Sequence, residues 1–184
     1  MPAGIFGLNK TYKKQVLDAW PELAEFGYFG GGSPPTTNPI INRFDFSNET
    51  LLEIDSDLTQ PRERAAAVSN TEYGYFGGGF EPGSLSSIDR LDFSSETTSN
   101  PPANLTEARY WLAAVSNSNY GYFGGGTPPN SNTIDRLDFS NETVDVPGAL
   151  GQLSQARYGL TSVSNNSYGY FAGGASPHVT PLIV

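Results

Sequence analysis

One aromatic, glycine-tailed phrase is written four times along this chain, and it constrains the fold more than any other feature. It reads "FGYFGGG" at residues 26 to 32, "YGYFGGG" at 73 to 79 and at 120 to 126, and "YGYFAGG" at 168 to 174. Two other phrases recur in fixed order between the copies. One is "INRFDFSNET" from residue 41, "IDRLDFSSET" from 88 and "IDRLDFSNET" from 134; the other is "PRERAAAVSN" from 61, "ARYWLAAVSN" from 108 and "ARYGLTSVSN" from 156. Successive copies lie 46 to 48 residues apart. A period of that length marks an array in which each supersecondary unit buries its apolar face only against the next copy.

Each phrase is too short for a useful helix and is rich in the aromatic and branched residues that suit a pleated surface. Between the phrases stand Gly, Pro, Asn and Ser, which form turns. The expected unit has four antiparallel strands: "RYWLAAVS", a turn at "NSN", "YGYFGG", a Pro-rich loop, "TIDRLDF", a turn at "SNET", and a short fourth strand such as 51–54 or 144–146. Such units are the blades of β-propellers. The fold expected is therefore an all-β propeller with about 47 residues per blade and roughly four blade-equivalents, over residues 26–184. Repeats start near 27, 74, 121 and 169, behind a basic segment at 1–25. Closing a ring then calls on "GIFGL" at 4 to 8, on a second chain sharing a larger ring, or on further repeats of a longer array.

The glycines have a packing explanation. The pleat sends Tyr73 and Tyr75 to one face of their strand and Gly74, Phe76 and Gly78 to the other. A residue without Cβ lets a neighbouring strand approach closely and permits positive φ in the turn behind it. A phosphate-binding loop would instead need a helix opening directly behind the glycines, with Lys and Ser or Thr. Behind these glycines the chain writes "SPPTTNP", "FEPGSL", "TPPNSN" and "ASPHVT", in which proline and asparagine stop a helix and no Lys occurs.

Composition narrows the chemistry. No cysteine is present, which excludes disulfides, thiolate metal sites and a cysteine nucleophile. The one histidine, His178, stands in a Pro-flanked stretch, so neither a zinc site nor a Ser-His-Asp triad is expected. All three lysines (Lys10, Lys13, Lys14) fall in the first 14 residues, while the rest of the chain sets 19 acids against 7 arginines. An acidic, Lys-free body argues against nucleic acid and anionic membranes as partners. No secretion signal and no stretch near the roughly 20 apolar residues of a membrane helix is read, so a soluble chain without membrane insertion is expected.

Taken together, the phrases carry a resemblance. A strand ending in Gly-Gly, a loop, a strand ending in Asp with Asn or Thr close behind, and an Arg opening the next unit together resemble the kelch repeat. The Trp usual after the third kelch strand is replaced by Leu51, Thr98 or Val144. The near-verbatim "GYFGGG", "IDRLDFSNET" and "AAVSNSN" are similar to kelch-like repeat proteins of marine, notably cyanobacterial, bacteriophages, over residues 26 to 184. The resemblance implies a virion or tail-associated binding protein with no cofactor.

Residues repeated in every unit are expected to serve the unit. Tyr28, Tyr75, Tyr122 and Tyr170 recur in the glycine phrase; Arg43 with Asp45, Arg90 with Asp92, and Arg136 with Asp138 recur in the next. The Arg and Asp residues are expected to form ion pairs between blades, since buried charges need partners. "DFSNET" could offer oxygen ligands to calcium, but its spacing suits a side-chain-capped turn better. "NET" at 48 and 141 also matches the glycosylation acceptor pattern, set aside for want of a secretion signal. No acid stands out from the repeat in an apolar setting that would raise its pKa, so catalysis is not expected.

Specificity is expected where repeats differ. The first-to-second and third-to-fourth turns are nearly constant, and strand alternation puts them together at one end of the sheets. The loops after the glycines and the links between units vary, and they share the other end. Diverse loops on a rigid scaffold commonly carry binding. The candidate contact residues are Ser33, Pro34, Thr36 and Asn38; Phe80, Glu81 and Ser84; and Thr127, Asn130 and Asn132. The expected partner is a host surface glycan or another virion protein, with a homo-oligomer also open and the basic N-terminal segment as a tether. An intracellular adaptor for peptides is the alternative, and a glycan hydrolase or lyase the less favoured one.

Overall fold

The computed structural model describes residues 26–33, 36–148, 151–165 and 167–176. The expected closing strand at 4–8, the three lysines, Pro34 and His178 lie outside these. All regular structure among the described residues is β. The first sheet is β1 (Phe26–Gly30), β2 (Ile41–Asp45) and β3 (Thr50–Glu53). The second is β4 (Ala66–Ser69), β5 (Tyr73–Gly77), β6 (Ile88–Asp92) and β7 (Thr97–Ser99). The third repeats it as β8 (Ala113–Ser116), β9 (Tyr120–Gly124), β10 (Ile134–Asp138) and β11 (Thr143–Asp145), and a fourth holds β12 (Tyr158–Ser164) and β13 (Gly169–Ala175). Every sheet is an antiparallel meander in sequence order. No closed ring is seen among the described residues.

The turns at the uniform end are built by side chains. Asn70, Asn117 and Asn165 each accept two backbone N–H groups through Oδ1, closing the first turn of their unit. Asp45, Asp92 and Asp138 each accept the backbone N–H and the Oγ–H of a serine two residues on, closing the second. These bonds hold all three carboxyls below the usual aspartate value. The aspartates are therefore turn caps. The expectation that they pair with arginine between blades is corrected accordingly, because both bonds to serine fix them to their own turn.

Adjacent sheets lock through the glycine phrase. A Cβ on Gly30 would lie 2.9 Å from the ring of Phe76 in the next sheet, one on Gly77 2.7 Å from Phe123, and one on Gly124 2.9 Å from Phe171. The ring of each sheet thus fills the space that the preceding sheet's glycine leaves empty. The two glycines behind carry positive φ, 67° and 107° at Gly78 and Gly79. Gly78 N–H bonds within its own sheet to Ser87, and Gly79 N–H turns outward to the Arg109 carbonyl of the next sheet, at 2.9 Å. Gly32 to Arg62 and Gly126 to Arg157 repeat the bond, also at 2.9 Å. The cores lie along the same joints. Ile41, Ile54 and Leu58 meet Phe76 and Leu91 between the first and second sheets, and Tyr75, Ile88 and Leu105 meet Phe123 and Leu137 between the second and third. Burying each such side chain contributes about 1.5–3 kcal/mol.

Candidate functional site

The arginine that opens each unit anchors the variable end. Arg62 and Arg109 are buried, and each pairs with an aspartate in the third strand of its own sheet: Arg62 with Asp89 at 3.0 Å, Arg109 with Asp135 at 2.8 Å. Arg62 Nη1 also donates to the Gly78 carbonyl at 2.7 Å, and Arg109 Nη2 to that of Phe123 at 3.1 Å. Burial pulls the Arg62 guanidinium below its ordinary pKa, against the pull of the Asp89 charge. These pairs fix where the next residues of the chain emerge.

Two residues further on, Arg64, Trp111 and Gly159 take positive φ of 56°, 54° and 63°. Trp111 N–H donates to the Arg64 carbonyl at 2.9 Å and Gly159 N–H to the Trp111 carbonyl at 2.8 Å, so the kinks form a ladder across three sheets. The expected first strand at "RYWLAAVS" begins only at Ala113, behind the left-handed kink at Trp111, whereas β12 runs through the same kink at Gly159. At this kink side chains leave the sheet and gather on the variable end.

They gather as a row of planar groups. The Arg64 guanidinium lies 4.9 Å from the Trp111 ring centre, 5.6 Å from Tyr110 and 5.7 Å from Phe80, and Glu63 holds it by an ion pair at 2.9 Å. Trp111 stacks on Tyr158 of the fourth sheet with centroids 5.4 Å apart and planes at 17°. Tyr110 meets Trp111 and Phe80 edge-on, at 5.3 and 5.2 Å. Backbone bridges seat the row: Phe80 pairs with Glu63, and Thr127 with Tyr110. Trp111 is 41% exposed despite these neighbours. The result is a stacked row of planar groups, with Trp111 held between the Arg64 guanidinium and the Tyr158 ring and its remaining surface open to solvent.

Of the candidate loop residues, Phe80 enters this row and Thr127 stands beside it. Glu81 and Ser84 belong to the same loop as Phe80; Glu81 N–H bonds to Gly83, and the Glu81 carbonyl accepts from Gln60. Thr127 Oγ1 donates to Asn130, and Asn132 to Gln152. Ser33 and Thr36 are exposed in the matching loop of the first sheet, and Asn38 N–H returns to Gly32. The residues that sequence reasoning missed are Arg64, Tyr110, Trp111 and Tyr158. Directly behind the constant arginine the chain writes "ER", "YW" and "YG", in a phrase of which only that arginine and the closing "VSN" are the same in all three copies, so the pair does not stand out by its variation.

Arg43 and Arg90 do cross between sheets, but to glutamates of the neighbouring turn. Arg43 reaches Glu96 at 2.5 Å and Arg90 reaches Glu142 at 2.7 Å. Tyr28 donates to Glu96 and Tyr75 to Glu142, both at 3.2 Å, while Tyr28 stacks on Phe93 at 5.0 Å and Tyr75 on Phe139 at 5.2 Å. Burial and then the Glu96 charge push the Tyr28 hydroxyl up to about 12. Arg136 instead pairs within its own sheet, with Asp145 at 2.6 Å, and Tyr170 is 55% exposed. Glu96 and Glu142 hold positive φ of 52° and 55°, a conformation uncommon outside glycine, and it aims the carboxylate at the preceding sheet.

No group of three His, Asp or Glu side chains that could hold a metal occurs among the described residues, and no helix long and apolar enough to cross a membrane occurs among them. No family model matches the chain, and neither does any curated protein.

Proposed function

We propose that this chain is a recognition module without catalytic activity, a kelch-like propeller protein whose variable end binds a saccharide of a host cell surface from a virion or tail. The observation that carries the reading is Trp111: a half-exposed indole at the centre of a stacked row, held by backbone kinks and flanked by loops that differ between repeats. A pyranose presents an apolar C–H face and a rim of hydroxyls. The exposed edge of the stacked row offers the first an apolar contact, and the second needs only a few donors and acceptors, which Arg64, Glu63 and the tyrosine hydroxyls offer. Aromatic residues and arginine also dominate binding energetics at protein surfaces in general. The resemblance to kelch-like phage proteins supports the virion setting, and an acidic body without lysine favours an uncharged or weakly charged glycan over nucleic acid.

The test is titration of the purified chain against neutral and acidic surface polysaccharides, alongside Trp111→Ala and a control at the uniform end, Tyr168→Ala. Binding by the chain and by the control, lost at least tenfold in Trp111→Ala with no change of fold, is the expected result. Binding lost equally in both variants would place recognition elsewhere. A chain that ignores saccharides and captures a protein or peptide through the same row would make it an adaptor.

A further inference from the structure

Three rings and a carboxylate of the variable end converge on one point. The Phe80 and Tyr110 rings meet at 75° with centroids 5.2 Å apart, and Tyr110 and Trp111 at 63° and 5.3 Å, so successive rings stand to one another as walls of a box. The guanidinium carbon of Arg64 lies over all three, 5.7 Å from the Phe80 centroid, 5.6 Å from Tyr110 and 4.9 Å from Trp111, and Glu63 Oε1 lies 2.9 Å from its Nη2. A cation set over several rings with a carboxylate at its side is the arrangement in which proteins hold organic cations. The negative ring faces attract the charge, and their apolar surface suits alkyl groups carried on it.

The walls do not depend on Arg64 for their places. Glu63 and Phe80 exchange backbone bonds, Glu63 N–H to the Phe80 carbonyl at 3.3 Å and Phe80 N–H to the Glu63 carbonyl at 2.9 Å. Tyr110 and Thr127 exchange theirs at 3.0 Å in both directions, and Tyr158 backs Trp111 with its ring 5.4 Å away. Arg64 itself is held by one ion pair and by the rings, and its side chain is 38% exposed. An ion pair that open to water holds weakly. The backbone does not call for arginine there either, since Trp111 and Gly159 take the same positive φ at the same place in the next two units.

We infer that Phe80, Tyr110, Trp111 and Glu63 form a binding site for an organic cation, an ammonium or quaternary ammonium group, and that Arg64 fills it until such a ligand displaces the guanidinium. The inference rests on the reading of the variable end as a saccharide site, and it narrows that reading to saccharides bearing an amino or choline-type substituent. A quaternary ammonium has no N–H to satisfy, so ring faces and one counter-charge are all it needs. Glu63, whose side chain is 17% exposed, supplies that charge once the guanidinium leaves. The wider field points the same way: beyond residue 14 the chain sets 19 acids against 7 arginines, which draws cations in and turns anions away.

The experiment is calorimetric titration of the full chain with choline chloride, and with the trimers of glucosamine and N-acetylglucosamine, which share a backbone and differ in charge at mildly acidic pH. The variants are Arg64→Gly, which suits the positive φ and clears the box, Arg64→Gly combined with Phe80→Ala, and Glu63→Gln. The parent should bind choline at millimolar concentration, Arg64→Gly should bind it roughly tenfold tighter, and loss of the Phe80 ring should reverse that gain. The free-amine trimer should be preferred over the acetylated one at salt high enough to screen the surface field, and Glu63→Gln should narrow the preference. Trimers bound equally, with choline ignored by Arg64→Gly, would overturn this inference and leave the saccharide reading standing. Choline bound as the variants predict, with neither trimer bound, would keep the cation site and remove the saccharide. Choline binding indifferent to both Arg64 and Phe80, or no binding of any probe, would overturn the site.

Discussion

Replacing Gly78 with alanine separates the two reasons a glycine is needed there. The residue holds φ of 67°, and a methyl group on it would lie 2.6 Å from the Arg109 carbonyl oxygen and 3.2 Å from Leu105 and Leu112 of the sheet joint. The left-handed conformation alone costs an alanine about 1 kcal/mol. Relieving the clash pushes the next sheet away, which strains the Gly79 bond to Arg109, worth about 1 kcal/mol, and loosens the leucine packing by about as much again. The sum is roughly 3 kcal/mol, or about 6–12 °C in Tm for a chain of this length. Gly159→Ala is the matched control, with φ of 63° and nothing within 4 Å of its missing Cβ; it should lose only about 1 kcal/mol, or about 2–4 °C. Urea and thermal unfolding monitored by circular dichroism read both. Equal losses in the two variants would refute the claim that the glycine pair exists for the approach of the next sheet.

The charges give two further outcomes. Asp135→Ala strands the Arg109 guanidinium in a buried site and should cost about 3–5 kcal/mol in urea unfolding, whereas Asp145→Ala, which leaves Arg136 exposed, should cost under about 1 kcal/mol. The turn aspartates carry folded-state pKa values depressed by their serine bonds. Their contribution is therefore complete above the ordinary carboxyl value and is lost as pH falls through the depressed one. In a pH series from about 5 to about 2, spanning that window, Ser94→Ala combined with Ser140→Ala should be less stable than the parent at the upper end and lose less on acidification; parallel curves would contradict the assignment.

Local pattern revealed what is local. Alternation and turn residues in "YGYFGG" and "IDRLDF" placed strands at 73–77 and 88–92, and Asp92 and Asn70 as turn formers, because those bonds close within a few residues. Partners a large part of a period or more away were invisible to it. Asp89 reads as one face of a pleat, yet its partner Arg62 lies 27 residues back. Glu96 reads as part of a turn, yet it answers Arg43 from 53 residues away in another sheet. The aromatic row escaped for a different reason: Tyr110 and Trp111 have the composition of a strand, and only the left-handed φ of Trp111 shows that they leave one. Comparison of the copies does not single them out either, since only the arginine and the closing "VSN" of that phrase are the same in all three.

The bond from each Gly-Gly pair to the next arginine carbonyl makes the array a one-dimensional system with a coupling term between neighbours. Free energy then sums over units and joints, as in other repeat arrays. A defect at Gly79 does not simply lower the stability of one sheet; it weakens the coupling between the second and third sheets, which the buried side chains and the Arg90–Glu142 pair of that joint continue to hold. The same arithmetic makes the number of units adjustable. A copy inserted or removed in register brings its own arginine and its own glycine pair, so it adds or subtracts one coupling without altering any other, and the length of the array is free to change while every remaining joint keeps its geometry.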